Sequence, residues 1–442
     1  MRNLILIYIF YITSSFAFSQ NWMSVGLGAY NYGVTKLYTD TINNTLYAAG
    51  NFKVGTTDTI KGIAKWNGLQ WDSLGYGLNQ AYCETITNYN GELYVGGGFS
   101  KAGGIPAQGI AKWNGLSWDS VSHNSNIWIY DFHQYNNELY VGGIFAPIDT
   151  TNSRAIAKRN GNTWYSVGNP IWTLTQIKSI QNYNGDMYAA GFFESYSNHI
   201  LKWDGNHWDA VGNGIDNFSS IDSPVNDMIV FNGELYIAGN FIKNANAGNY
   251  IMKWDGTNFS DVGGGMNGEI RSLCVFHNEL YAVGAFTQAG GIIARNIAKW
   301  DCNNWCSLGS TFNGSINTIE VFNDELYIGG GFSQIDSQTI NYVAKWIGGN
   351  FVSSCGNTIS VNEINFTYNI KIYPNPTTSM LNIIDEVNQF QNATIQIKNN
   401  LGQLVFSSPF TTQINLSSFS AGMYFLSIQD KSNSKTVKII KE

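Results

Sequence analysis

Residues 90–99 read Asn-Gly-Glu-Leu-Tyr-Val-Gly-Gly-Gly-Phe, and two readings compete for them. Three glycines after a short hydrophobic run suit a loop that cradles a phosphate. That loop needs a following helix whose N-terminal amides hold the anion, together with a Lys and a hydroxyl residue. The glycines equally suit the end of a β-strand packed too closely against its neighbours to carry side chains. The stretch has copies, and the copies decide.

The pair Leu-Tyr, once Met-Tyr, recurs at Leu46, Leu93, Leu139, Met187, Leu235, Leu280 and Leu326, with spacings of 47, 46, 48, 48, 45 and 46 residues. A fixed period of this length marks a repeat architecture. Each copy follows one plan. An apolar segment such as Ile316–Phe322 precedes a turn such as Asn90-Gly91 or Asn184-Gly185, whose central residues need positive φ and so announce a hairpin. The Leu-Tyr strand follows, with its glycine-rich end. A third strand ends in Lys-Trp at Trp66, Trp113, Trp203, Trp254, Trp300 and Trp346, and a fourth opens at Trp71, Trp118, Trp164, Trp208, Phe259, Trp305 or Phe351. Four antiparallel strands repeated seven times predict an all-β chain built as a seven-bladed β-propeller. No repeat places a helix after its glycines, so the phosphate reading falls, including for Gly263-Gly264-Gly265-Met266-Asn267-Gly268.

The double glycine ending the second strand and the tryptophan opening the fourth resemble the kelch and galactose-oxidase type of propeller over about 335 residues. The third-strand tryptophan departs from that pattern, so the resemblance implies architecture and not activity. Trp22 makes an eighth fourth-strand-like segment. Either it closes the ring and displaces the strand at Phe351, or it caps an edge; seven blades is the reading and eight the alternative.

Composition agrees. The chain has 442 residues, 44% of them hydrophobic, 14% aromatic and only 12% charged, with 47 glycines, as many short strands joined by tight turns require. A net charge of -7 offers no basic field for a polyanion, so nucleic acid is not an expected partner. Arg2, the apolar run Leu4–Phe18 and the small residues near Ser19 predict a signal peptide over residues 1–19, cleaved before Gln20. The run is short for a spanning helix, and no transmembrane segment is expected in the mature chain.

The period stops after Cys355. The propeller is assigned residues 20–355, a polar linker 356–366, and a second domain 367–442, where alternation and turns such as Asn399-Asn400-Leu401-Gly402 predict a small β-sandwich. Tyr373-Pro374-Asn375-Pro376, Leu401-Gly402-Gln403, Gly422-Met423-Tyr424 and the basic end Lys435–Lys441, with Lys438, closely resemble the type A C-terminal sorting domain of the type IX secretion system. The resemblance implies the secretion machinery and its sorting peptidase as partners, and a secreted or outer-membrane cell-surface location in a bacterium. Residues 365–442 carry six Lys or Arg against four Asp or Glu, +2, whereas 20–364 carry 17 against 27, -10; the acidic part is the cargo.

Chemistry is sparse. The acids Glu92, Glu138, Asp186, Glu234, Glu279 and Glu325 recur before the Leu-Tyr or Met-Tyr pair and read as turn residues, not a catalytic dyad. No C-x-x-C pair occurs and the histidines are dispersed, so no metal is expected, and no motif calls for a cofactor. Cys302 and Cys306 flank a turn and suggest a hairpin disulfide. Catalytic residues are not identified. Ligand recognition is expected on the face with the longer, more variable connections. There the residues outside the repeat consensus are Trp128 and Trp172, with Tyr130, Asp131, His133 and Arg154 near them. The expected function is a non-catalytic recognition or adhesion module for a glycan or protein; the alternative is a propeller enzyme acting on polysaccharide, a lyase or glycoside hydrolase.

Overall fold

The computed structural model describes residues 22–25, 29–54, 60–79, 82–122, 127–145, 148, 154–168, 175–193, 199–215, 225–241, 249–348, 354–355, 370–385, 393–399, 403–429 and 434–442. The signal-peptide segment 1–19, Trp172, Phe351, the linker 356–366 and Leu401-Gly402 lie outside them. The described residues form strands and turns with no helix, and the chain divides into two compact units, Met1–Thr358 and Ile359–Glu442.

In the first unit each repeat becomes one antiparallel sheet. In sheet 2, strands Cys83–Tyr89, Glu92–Gly97, Ile110–Trp113 and Trp118–Ser120 pair in sequence order. The turn between the first two is built on Asn90 and Gly91, both at positive φ, as the sequence predicts. The other sheets begin at Ala29–Asp40 (sheet 1), Ile127–Tyr135 (sheet 3), Thr175–Tyr183 (sheet 4), Val225–Phe231 (sheet 5), Glu269–Phe276 (sheet 6) and Ile316–Phe322 (sheet 7). Each of these first strands touches the first strand of the next sheet, and that of sheet 7 touches that of sheet 1, so the contacts form a closed cycle.

Trp22–Ser24 closes that cycle. It pairs antiparallel with Val343–Trp346, Trp22 opposite Trp346, as the fourth strand of sheet 7. Ser354–Cys355 instead pairs with Trp305–Ser307 as a fifth strand of sheet 6. Register therefore leaves the fourth place in sheet 7 to the start of the chain.

The cores lie between sheets, because neither face of a four-stranded sheet can be left to water. Trp22, Trp66, Trp71, Trp118, Trp164, Trp254, Trp300 and Trp305 are buried there. The fourth-strand tryptophans also staple neighbouring sheets: Trp71 Nε1 donates to the Val25 carbonyl at 2.8 Å, Trp118 to Leu74 at 2.8 Å, Trp164 to Val121 at 3.2 Å, Trp208 to Val167 at 3.2 Å and Trp305 to Val262 at 2.8 Å. Each satisfied indole adds about 1 kcal/mol to what its burial supplies. The recurrent acids have partners too. Glu92, Glu138, Asp186, Glu234, Glu279 and Glu325 each pair with a third-strand lysine, that of a Lys-Trp in five repeats and of Lys158-Arg159 for Glu138, as in Lys112–Glu92 at 2.8 Å. At partly exposed positions such pairs contribute at most about 1 kcal/mol each.

The glycines of the opening stretch have three separate reasons. A Cβ on Gly96 would lie 2.7 Å from Ile129 Cγ2 of sheet 3. One on Gly97 would collide with the Tyr82 carbonyl of its own sheet, and one on Gly98 would lie 2.8 Å from the Trp128 ring.

In the second unit Ile370–Tyr373, Met380–Asp385 and Gln413–Asn415 form one sheet, and Leu404–Pro409, Thr394–Asn399, Gly422–Gln429 and Ser434–Lys441 another. Leu381 and Ile383 of the first pack with Ile395, Ile397, Leu426, Ile428 and Ile439 of the second in a single core.

Candidate functional site

A one-residue irregularity in every repeat builds the site. In each first strand the pairing skips one residue: Thr35, Glu84, Tyr130, Lys178, Asn226, Arg271 and Asn317. A bulge inserts an extra residue and re-aims its side chain. All seven line one cavity of about 310 Å³. Several of the residues that follow them, Lys36, Asp131, Ser179, Asp227, Ser272 and Thr318, line it too.

Two sets of hydrogen bonds tie the sheets together around this cavity. In the first, the residue after the bulge accepts from a backbone N–H of the next sheet. Thr85 receives Phe132 at 3.2 Å, Asp131 receives Ile180 at 2.7 Å, Ser179 receives Met228 at 3.1 Å, Asp227 receives Leu273 at 2.8 Å and Thr318 receives Leu37 at 3.1 Å. Asp131 and Asp227 thus do with carboxylates what hydroxyls do elsewhere. In the second, the bulged side chain donates to a carbonyl of the next sheet: Thr35 to Cys83, Asn226 to Ile270 at 2.8 Å and Asn317 to Val34 at 2.7 Å. Arg271 instead bonds Asn317 Oδ1 at 2.6 Å and Ser315 Oγ at 2.7 Å, with Glu269 3.0 Å from its Nε.

Sheets 2 to 4 carry other kinds of side chain at the bulge. Their bulges carry Glu84, Tyr130 and Lys178, which turn to one another: the Lys178 ammonium lies 4.5 Å from the centre of the Tyr130 ring, and its charge favours ionised Glu84. Trp128 turns its buried Nε1 toward Glu84 without closing a hydrogen bond of full geometry.

Burial governs the titration of the acids. It pushes the Asp131 carboxyl up to about 7, against the Ile180 N–H and Lys36, which hold it down. Burial pushes Glu320 up to about 7 as well, and raises Glu84 and Asp227. Lys36 is the shared counter-charge that opposes the rise in all four. Burial, with the Glu84 charge, pushes the Tyr130 phenol up to about 12.

Of the residues singled out in the sequence, Tyr130 and Asp131 line the cavity and Trp128 stands beside it. His133 is half-buried against Asn182 of sheet 4, and burial lowers its pKa. Arg154 is exposed, and its carbonyl accepts from the Phe145 N–H at 2.9 Å. Trp172 is outside the described residues. Sequence reading missed Lys36, Glu84, Lys178 and Arg271. Aligning the seven first strands would have shown a column that reads Thr, Glu, Tyr, Lys, Asn, Arg, Asn, variable in chemistry directly after a position that is apolar in every copy.

The hairpin disulfide between Cys302 and Cys306 does not form. Cys302 is a free, exposed thiol at positive φ in the turn, where it accepts from the Asn232 amide. Cys306 is disulfide-bonded, and its backbone partner across the ladder is Cys355, not the turn residue. No His, Cys, Asp or Glu grouping suited to a metal occurs among the described residues.

In the second unit the motif residues converge on the last strand. The Asn375 amide donates to the Lys438 carbonyl at 2.8 Å and accepts from the Ile440 N–H at 2.9 Å. Tyr373, Pro374 and Pro376 are exposed beside it, and Gly422 opens the neighbouring strand. Tyr424 donates its hydroxyl to the Ser420 carbonyl at 2.9 Å.

Residues 371–442 match the family of secretion system C-terminal sorting domains. The chain is therefore secreted to the cell surface or beyond it, as the type IX resemblance implies. No curated protein matches the chain. Among solved structures it is similar to the extracellular domain of a protein described as a putative hybrid two component system from B. thetaiotaomicron. There the identity is 14% and the TM-score 0.48, over 96% of this chain and 59% of that one. It is also similar to the β-propeller domain of the Trilobed protease from Pyrococcus furiosus, with 10% identity and a TM-score of 0.42, over 77% of this chain and 98% of that one. The chain thus spans little more than half the length of the first of these.

Proposed function

We propose that this chain is a surface-displayed, non-catalytic recognition module, a seven-bladed β-propeller of kelch-like repeats that binds a glycan or protein at its axial cavity. A signal peptide over residues 1–19 takes it through the inner membrane. The second domain, a small β-sandwich over 367–442, engages the type IX machinery and its sorting peptidase. Trp128, Tyr130 and Asp131 belong to the ligand site, joined by Glu84, Lys178 and Lys36.

One observation carries the reading. The bulges of sheets 2 to 4 bring Glu84, Tyr130 and Lys178 together on the cavity lining, with the Lys178 ammonium 4.5 Å from the centre of the Tyr130 ring. Charged and aromatic side chains that converge on one cavity of a rigid scaffold are suited to recognition. The enzyme alternative draws on Asp131, whose pKa of about 7 suits a general acid. Its Oδ2 is nevertheless occupied by the Ile180 N–H.

The test is retention of the purified full chain on panels of immobilised polysaccharides and proteins, with product analysis of the same mixtures. Retention without cleavage, reduced by the double substitution Glu84→Gln and Lys178→Met, is the expected result. Depolymerisation abolished by Asp131→Asn would establish the enzyme instead.

A further inference from the structure

The rim of the cavity narrows the ligand class. Tyr82, 49% exposed, stands just before the first strand of sheet 2. Its ring centre lies 5.3 Å from that of Trp128 at an interplanar angle of 40°. Trp128 in turn lies 6.2 Å from Tyr130 at 30°. An aromatic file thus descends from solvent to the cavity lining, and Gly98 gives Trp128 its seat. The buried Trp128 Nε1 is turned toward Glu84 without a hydrogen bond of full geometry.

The lining mixes both signs around the axis. Lys36 comes from sheet 1, Glu84 from sheet 2, Asp131 from sheet 3, Lys178 from sheet 4, Asp227 from sheet 5 and the Arg271–Glu269 pair from sheet 6. Three cations and four acids share the lining, Lys36, Lys178 and Arg271 with Glu84, Asp131, Asp227 and Glu269, so it lacks the single-sign field that a polyanion or polycation would need. Donors and acceptors instead stand side by side, and a ring of hydroxyls, each both donor and acceptor, satisfies them together. A volume of about 310 Å³ is at the small end for ligand sites, so it admits the end of a chain and not its middle.

We propose that the cavity and its aromatic rim form a subsite for the terminal residue of a neutral glycan, entering end-on past Tyr82. The apolar face of a sugar ring lies on Tyr82 and Trp128, and hydroxyls reach Lys36, Glu84 and Asp131. This rests on the recognition reading above.

The experiment measures binding of the full chain to neutral, amino-sugar and uronic-acid oligosaccharides, and to a peptide library. Neutral oligosaccharides are held, Tyr82→Ala weakens them about tenfold or more, and Tyr82→Phe does not. Lys36→Met weakens them too, and both Tyr82 variants melt as the parent does. Retention of charged oligosaccharides alone, or of neutral ones unaffected by Tyr82→Ala, overturns the proposal. If only peptides are held and Lys36→Met releases them, the glycan assignment falls and the recognition reading stands. If nothing is held in a cavity-dependent way, both fall.

Discussion

Trp71 Nε1 donates to the Val25 carbonyl at 2.8 Å, the same bond that Trp118 makes to Leu74 one sheet further on. Val25 follows the strand that pairs with Trp346, so the start of the chain occupies, in spacing and in bonding, the place that a fourth strand occupies in other repeats.

Ring closure therefore depends on Trp22, which is 0% exposed, with its indole donating to Ser310 at 3.1 Å. Trp22→Ala is expected to cost about 3 to 5 kcal/mol, because it removes a buried ring at the one seam where sequence-distant strands must meet. Chemical denaturation of the parent and the variant measures it. A loss below about 1 kcal/mol would show that the seam holds without this strand.

Gly98 and Gly331 occupy the same place in two repeats but face different neighbours. A Cβ on Gly98 meets the Trp128 ring at 2.8 Å, whereas one on Gly331 has only Ser315 Oγ at 4.0 Å. Gly98→Ala should shift tryptophan fluorescence and weaken ligand retention; Gly331→Ala should do neither. Equal effects of the two substitutions would count against Trp128 as a site residue.

Arg159, 5% exposed, fills the slot that holds Trp in the other repeats. Its guanidinium lies 5.3 Å from the centre of the Trp164 ring, matching the 5.3 Å between Trp113 and Trp118, but its buried Nε finds no acceptor among the described residues. Arg159→Trp should be neutral or stabilising by about 1 kcal/mol, since a desolvated charge gives way to an apolar ring. Arg159→Ala, which empties the slot, should destabilise. Thermal melting separates them, and a Trp variant as weak as the Ala variant would contradict this account.

Asp131 and Glu320 bind protons more tightly folded than unfolded, since burial lifts each to about 7 from ordinary values of 3.8 and 4.5. The folded state therefore keeps these protons from about pH 4, where the unfolded chain loses them, up to about 7, and stability should fall as pH rises across that window and level off above it. The double variant Asp131→Asn and Glu320→Gln keeps the oxygen acceptors and removes the ionisation, so its melting temperature should be flatter between about pH 5 and 7. An unchanged slope would show that other groups set it.

The repeat period, the order of strands, the turns at Asn90-Gly91 and the packing role of the tryptophans were legible in the sequence, because hydrophobic alternation and turn chemistry are local. The sorting domain was legible for another reason: Tyr373, Asn375, Gly422 and Tyr424 form an ordered set over the tail. Within the site, Trp128 and Tyr130 stood out as departures from the repeat. Glu84 and Lys178 did not, since a single charge in an alternating strand looks like any solvent-facing residue.

By itself, then, the sequence determined the repeat, what each copy is made of and where the chain is sent. Only the tertiary structure decided which side chains meet on the axis. A bulge shifts strand alternation by one residue, and nothing in the apolar pattern of a single strand marks where that shift falls. Ring closure had the same dependence, for Trp22 meets Trp346, and Cys306 faces Cys355 rather than Cys302. Such pairings are fixed by which edges remain open once the sheets have packed, a property of the assembled ring and not of any one segment.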